Sequence, residues 1–316
     1  DPALAGDVAL EVVTPRMVQA WLPSRPPDAH KGTFGKAMIV AGSVNYTGAA
    51  YLAGASATHA GAGLVTLALP SAIHSSVAAQ LAEATYVLLP HAMGVLSPAA
   101  VAVLRKALEG YDVLLIGPGL GLEEETSAFL KQVLGGEERQ RSLGFLQTGS
   151  AAGRSNLPNL VIDADGLNIL SAWADWPKRL PRETILTPHP GEMARLIGSS
   201  ITEVQSDRIE TARSQAVEWG HIVVLKGPYT VVAGPDGRTV IEPFANAGLA
   251  TAGTGDVLAG AITALRAQGL GAFEAAASGA YLHGLAGEIA RQEIGAAGMV
   301  AGDVLRCLSK ALKRLG

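Results

Sequence analysis

The sequence predicts an α/β fold, a three-layer αβα sandwich around a mainly parallel central sheet. Three observations carry that expectation. From residue 37 onward, short branched runs alternate with longer Ala/Leu segments, the sequence form of repeated βα units. Hydrophobic residues make up 48% of the chain and aromatics only 5%, so the apolar content is chiefly Ala, Val and Leu, suited to helix-on-sheet packing. The 316 residues fit one large unit, because α/β folds often run past about 250 residues as a single domain.

Taken in chain order, residues 1–36 read as a short helix followed by an extended approach segment, since Pro23, Pro26 and Pro27 fix φ and remove backbone donors. Residues 1–30 are therefore assigned as an arm or linker and 31–316 as the main domain. Strands are expected at Ala37–Ala41, Leu64–Leu69, Tyr86–Leu89, Asp112–Ile116, Leu160–Asp163, Thr184–Thr187 and Ile222–Lys226. A hairpin follows, "TVVAG" and "RTVIE" around Pro-Asp-Gly, because Asp-Gly between alternating apolar residues favours a tight reversal. Helices are expected near 47–60, 97–108, 123–134, 202–218, 255–268, 272–290 and 300–313. The polar, Gly/Ser-rich stretch 135–158 reads as a surface excursion.

Composition narrows the function. With 24 basic and 28 acidic side chains, net charge −4, and no dense Lys/Arg block, a nucleic-acid partner is not expected. The most apolar stretch, Gly48–Pro70, is interrupted by Ser56, Thr58, His59 and glycines, so a membrane span is not expected either. Cys307 is the sole cysteine, which excludes an internal disulfide or a multi-cysteine metal site and points to a reducing compartment, the cytoplasm. His59, His74, His91, His221 and His283 lack metal-ligand spacing and read as structural. No Ser/His/Asp or Cys/His nucleophile signature stands out, which disfavours hydrolase chemistry.

The chemistry concentrates in "LATAGTGDVLAG", residues 249–260. Its glycines permit a bend that presents backbone N–H groups at a helix start, where unpaired donors and the helix dipole favour an anion. Asp256 in the first turn is either a helix-capping carboxylate or a base beside that cradle. A dinucleotide-binding reading is weaker, since the acid is adjacent rather than about 20 residues on. Cradle and acid together suit phosphoryl transfer to an alcohol: one neutralises the moving group, the other takes the hydroxyl proton.

Other strand ends add candidates. In "VVLKGPYTVV", Lys226 ends a strand and Gly227-Pro228 turns the chain, either holding part of a nucleotide or only making a tight turn. "LLIGPGLG" leaves backbone open at Gly117, Gly119 and Gly121, for a ligand or for a plain βα connection. In "TPHPGEMARL", His189 between two prolines either contacts a ligand or caps a helix. Glu192 three residues on either reaches a hydrated Mg²⁺ or simply carries an N-terminal helix charge. Asp163, Asp165 and Asn168 of "DADGLN" either organise ligand or metal waters or satisfy their own turn.

Together "HKGTFGKAMIVAGSVNYTGAAYLAGASATHAGAGLVTLALP", "IGPGLG", "DADGLN", "ILTPHPGE", "VVLKG" and "GLATAGTGDVLAGAI" resemble the ADP- or ATP-dependent NAD(P)H-hydrate dehydratases of the ribokinase-like fold, over about residues 30–290. The resemblance implies dehydration of the S-form of hydrated NADH or NADPH, a metabolite-repair reaction. The ring hydroxyl is phosphorylated and phosphate is then lost. Carried over residue by residue, it makes Asp256 the general base and substrate contact, and Ala252, Gly253, Thr254 and Gly255 the anion hole. It puts Ala49, Gly119 and His189 on the hydrated dinucleotide, and Lys226, Gly227, Pro228, Tyr229, Thr230 and Gly255 on the adenine nucleotide. Mg²⁺ is implied as cofactor with ADP or ATP as co-substrate, and Glu192 as a metal residue acting through water. The chain departs from the Asn-x-x-Glu usual in ribokinase-like sugar kinases, having His189-Pro190-Gly191-Glu192 instead. The family also implies a homo-oligomer, a tetramer or larger, which Ala/Gly-rich helices would suit. The Met-less start resembles the join after an epimerase domain. The rival readings are a kinase for a vitamin precursor or sugar, and a non-catalytic nucleotide sensor. Asp256 argues against the sensor, since a binder gains little from a carboxylate facing phosphates.

Overall fold

A computed structural model of the chain describes residues 10–135 and 157–316. Its centre is a ten-stranded sheet built from β1 (Leu10–Val12), β2 (Lys36–Val40), β3 (Leu64–Pro70), β4 (Thr85–Leu89), β7 (Val113–Ile116), β8 (Asn159–Ile162), β9 (Ile185–Leu186), β10 (Ile222–Leu225), β11 (Val231–Ala233) and β12 (Thr239–Ile241). A separate small hairpin pairs β5 (His91–Ala92) with β6 (Val95–Leu96). The strand order is β1-β12-β11-β10-β9-β8-β7-β2-β3-β4, and only β11 runs against its neighbours. This is the expected mainly parallel sheet, and its strands are apolar at successive residues because both faces are covered. Ala37 and Ile39 pack into one core, Met38 and Val40 into the other.

One face carries α2 (Thr47–His59), α10 (Thr254–Ala267), α11 (Ala272–Ile294) and α12 (Ala301–Leu315). The opposite face carries α4 (Ala100–Ala107), α5 (Glu124–Gly135), α6 (Asp165–Ser171), α7 (Pro190–Ile197), α8 (Ile201–Ser206) and α9 (Arg208–Trp219). A short α3 (His74–Ala78) follows β3. Glycine sets how closely the first layer packs: a Cβ on Gly260 would stand 2.2 Å from the Ala53 carbonyl oxygen, so α10 lies directly against α2. Likewise Gly279 meets Ile262 and Gly287 meets Leu249. The Ala/Gly-rich helix faces expected to serve self-association are thus used within the chain.

Three expectations need correction. The approach segment contributes a strand besides the expected short helix: β1 pairs in parallel with β12, while α1 (Pro15–Trp21), capped by Thr14, buries Val18. The helix expected at 202–218 is two helices: Asp207 leaves helical geometry at φ −147° and accepts the Glu210 N–H, starting α9 afresh. The β5–β6 hairpin, α3 and α6 were not foreseen. Apart from its ends, the excursion at 135–158 lies outside the described residues.

Candidate active site

The site forms where the parallel strands end at their carboxyl edge, the usual ligand position in open α/β sheets. At the end of β8, Asp163 is 1% exposed and accepts from Thr187 Oγ1 at 2.7 Å. It also accepts from Lys226 Nζ at 2.6 Å. Lys226 continues β10, and its backbone N–H donates to Pro188 at 2.8 Å, tying the ends of β9 and β10 together. Glu192, buried in the first turn of α7, places Oε2 3.6 Å from the same ammonium. Burial pulls the Lys226 pKa down, but Asp163 and Glu192 outweigh it, so the lysine is held charged above its ordinary range.

The turn Asp163-Ala164-Asp165 aims two carboxylates apart. Ala164 takes φ +50°, a conformation rare for a side chain with a Cβ and stored at functional positions. Asp165 Oδ2 accepts the Gly121 N–H at 2.9 Å, which draws the glycine loop after β7 over the carboxylates. Glycine is required there. A Cβ on Gly117 would stand 1.9 Å from the Asp163 carbonyl oxygen, and one on Gly119 would stand 2.6 Å from Ala49 Cβ. Gly119 and Ala49 are thus adjacent, with the exposed Tyr46 beside them.

The quoted Gly-Thr-Gly-Asp turn starts α10. Gly253 has φ +90° and a Cβ there would meet Leu52 at 2.6 Å, while Ala252 is exposed. No side chain caps this helix start. Instead Thr254 Oγ1 donates to the carbonyls of Leu249 and Thr251 at 2.8 and 2.9 Å, bracing the turn from behind. Asp256 sits in the first helical turn. Burial, then Asp163, raises its pKa to about 7 against the pull of Lys226. Gly255 lies between the two, a Cβ there falling 3.5 Å from Lys226 Nζ and 3.9 Å from Asp163 Oδ2.

His189 caps α7. Its Nδ1 accepts from the N–H groups of Gly191 and Glu192 at 2.9 and 3.3 Å, and Glu192 Oε2 accepts the His189 N–H at 2.7 Å, a reciprocal capping box. Capping consumes Nδ1 only. Nε2 remains on a half-exposed ring, 3.4 Å from Glu192 Oε1. Burial, with Lys226 and Arg195, lowers the His189 pKa, which favours the neutral ring. Asn168 is drawn off to accept from Arg195 at 2.7 Å.

Beside this cluster opens a cavity of about 380 Å³ walled by Lys226, Gly227, Pro228, Thr230 and Gly255 on one side and by α11 on the other. Tyr229 is not in the wall: it is 55% exposed, at φ +53°. Sequence reasoning missed Arg208, which clamps this turn by donating to the carbonyls of Leu225 at 3.0 Å, Lys226 at 3.2 Å and Pro228 at 2.5 Å. It also missed Glu242 and Asn246, which line the same cavity together with His283, a residue read as structural. A larger groove, about 870 Å³, lies by β1, β12 and α9 and shares no residue with the carboxylate cluster.

No group of three or more His, Cys, Asp or Glu among the described residues could hold a metal ion directly. The oxygens of Glu192 are committed to the His189 N–H, His189 Nε2 and Lys226, so it suits the water shell of an ion rather than direct ligation.

A glycine-bent helix start with an adjacent acid, above a mainly parallel sheet covered by helices on both faces, fits the ribokinase-like class of α/β proteins, and the sandwich has that architecture. Within that class, the chain belongs to the NAD(P)H-hydrate dehydratase family, whose family model matches residues 37–310. It is 41% identical over 305 residues to the bifunctional NAD(P)H-hydrate repair enzyme Nnr of Moorella thermoacetica, covering 96% of this chain and 54% of that protein. It is 37% identical over 294 residues to the ADP-dependent (S)-NAD(P)H-hydrate dehydratase of Neisseria meningitidis, covering 89% and 86%. The structure matches the ADP/ATP-dependent NAD(P)H-hydrate dehydratase of Bacillus subtilis, co-crystallized with ATP/Mg²⁺, at TM-score 0.77 and 30% identity, covering 97% and 99%. The chain spans about half the length of the bifunctional relatives. No helix among the described residues is long and apolar enough to cross a membrane.

Proposed function

We propose that this chain dehydrates the S-form of hydrated NADH or NADPH at the expense of ADP or ATP, restoring the reduced dinucleotide. The observation that carries the reading is the start of α10, where Asp256, in the field of Asp163 and Lys226, directly follows Gly255, which lines the Lys226–Thr230 cavity. Asp256 takes the proton of the ring hydroxyl as its oxygen attacks the terminal phosphoryl, and the bond to the nucleotide's bridging oxygen breaks. The N–H groups of Gly253 to Gly255 face the charge that develops. The new phosphate ester then leaves with the former C–O electron pair, and loss of a ring proton restores the double bond. Hydrate and ATP thus yield NAD(P)H, ADP and phosphate. His189 Nε2 orients the dinucleotide. Mg²⁺ bound to the nucleotide phosphates would neutralise their charge, with Glu192 and Asp163 accepting from its waters.

Incubation with hydrated NADH, Mg²⁺ and either ADP or ATP tests reaction and donor together. Recovery of reduced-nicotinamide absorbance with one phosphate released per turnover is the expected result. A stable phosphate ester without that recovery identifies a small-molecule kinase instead.

Two further outcomes follow. Because Asp256 must be ionised to accept a proton and its pKa is about 7, turnover is expected to rise with pH through about 7 and then level off. A flat profile between about pH 5.5 and 8 removes Asp256 as base. Arg208→Ala removes three bonds that shape the nucleotide turn. Its nucleotide Kd, by titration calorimetry, is expected to rise about tenfold or more while kcat at saturation changes little.

We assign residues 31–316 as the catalytic unit, with residues 10–21 buttressing it through β1 and α1. Bifunctional relatives support a preceding epimerase partner in the native protein. The exposed Leu88 on the edge strand β4, with Met93 93% exposed on the hairpin beyond it, supports a homo-oligomer. Light scattering during gel filtration tests this. The single cysteine supports a cytoplasmic setting.

A further inference from the structure

The cavity beside Lys226 holds a set of buried polar atoms with nothing to bind. Glu242, 2% exposed, has neither carboxylate oxygen hydrogen-bonded. His283, 9% exposed, bonds the Thr254 backbone through one ring nitrogen and leaves Nε2 without a partner. Asn246 spends Oδ1 on the Gly248 N–H at 2.9 Å and leaves Nδ2 unused. Unsatisfied buried groups are costly, and three residues sharing one cavity point to a ligand that completes them.

The three are brought together by separate elements. Glu242 follows β12, where its N–H donates to the Thr230 carbonyl at 2.9 Å, linking it to the nucleotide turn. Asn246 precedes the Gly-Thr-Gly-Asp turn, and His283 lies on α11 across the cavity. Phe244, Leu249 and Leu258 supply apolar walls between them. The lining thus combines apolar side chains with three unsatisfied polar ones.

We propose that Glu242, His283 and Asn246 read the edge of the adenine base and so select adenine over other purine nucleotides. The inference rests on the nucleotide occupying this cavity, as in the reading above. Its chemistry follows from donors and acceptors. The His283 backbone bond favours the charged ring, so the ring donates there and Nε2 is an acceptor. Burial brings its pKa down to about 4, which keeps the ring neutral. Burial alone pushes Glu242 well above the ordinary carboxylate range, so it offers one acceptor and one donor. Adenine presents two amino hydrogens at position 6 beside ring nitrogens that accept. Two acceptors for the amino group, with donors from Glu242 and Asn246 Nδ2 for ring nitrogens, complement that edge. A 6-oxo purine turns an acceptor toward His283 Nε2, leaving buried groups unpaired.

The test uses the full chain, with ADP and inosine diphosphate as probes, read by titration calorimetry and by amide hydrogen exchange. The wild type is expected to bind ADP at least about tenfold more tightly than inosine diphosphate. Glu242→Leu should reduce ADP affinity about tenfold and bring the two Kd values within about threefold. The same change should raise the melting temperature of the nucleotide-free protein, since it deletes an unpaired buried carboxyl. A merely structural Glu242 would leave the ADP preference intact and lower that melting temperature, and either result overturns the proposal. His283→Phe, similar in shape but without the acceptor, should also narrow the preference, and retention of the full preference there removes His283 from the reading. Protection of residues 226–230 and 280–284 by ADP without any base preference overturns base reading alone. Absence of that protection overturns the placement of the nucleotide as well.

Discussion

Asp256→Asn is expected to retain nucleotide binding within about twofold and to lower turnover by about a hundredfold or more, the usual scale for losing a positioned base. The amide keeps the shape at the start of α10 but cannot accept a proton. Its environment sharpens the expectation. Burial and the neighbouring Asp163 raise the wild-type carboxyl to about 7, so a base of useful strength is lost, not a weak surface carboxylate. Nucleotide affinity should hold or improve slightly, because a negative group facing phosphates is gone. Single-turnover kinetics with prebound nucleotide separate the two effects. Turnover within a few-fold of wild type would assign proton removal to another group.

Lys226→Met is expected to be the most destabilising single change in the site, by about 3–5 kcal/mol at neutral pH, since it strands buried charge. Asp163 and Glu192 lie 2.6 and 3.6 Å from the ammonium, and Asp256 is the next carboxylate in its field. Burial already holds Glu192 and Asp256 above the ordinary carboxylate range, and loss of the lysine removes the pull that opposes it. The folded state then binds more protons, so the variant gains stability on acidification and loses it as pH rises through the raised values. The deficit should therefore be larger at pH 7 than at pH 5. Chemical denaturation of both proteins at the two pH values measures it, and a deficit below about 1 kcal/mol at pH 7 would show that the cluster is not held by this cation.

The parts of the fold visible beforehand were those where local pattern and tertiary demand agree. The branched runs at Ala37–Ala41 and Asp112–Ile116 are strands because a sheet covered on both faces needs unbroken apolar runs, and that signature is local. Prolines dominate residues 1–36 and hid β1, whose reason to exist is the open edge of β12 more than two hundred residues away. The break in the expected long helix was legible after all. Asp207 with Glu210 three residues on is a helix-start signal within a run whose periodicity is otherwise continuous.

In the site the same division holds. Gly117, Gly119 and Gly253 advertised a backbone geometry that only glycine tolerates. Arg208 gave no such sign, since a guanidinium reaching three carbonyls of another loop has no sequence period. Glu242 was hidden by position: after "RTVI" an acid reads as the solvent side of a strand, and only the arrival of α11 buries it. His283, within an Ala-rich helix and without metal-ligand spacing, read as structural because nothing local shows that it faces the cavity.

The contact permitted by Gly260 has a functional corollary. Ala49 and Asp256 belong to two helices in direct contact, so one group that would hold the hydrate and the group that would deprotonate it are carried by a single packed pair. Drift in the sequence of one helix must be answered by its partner.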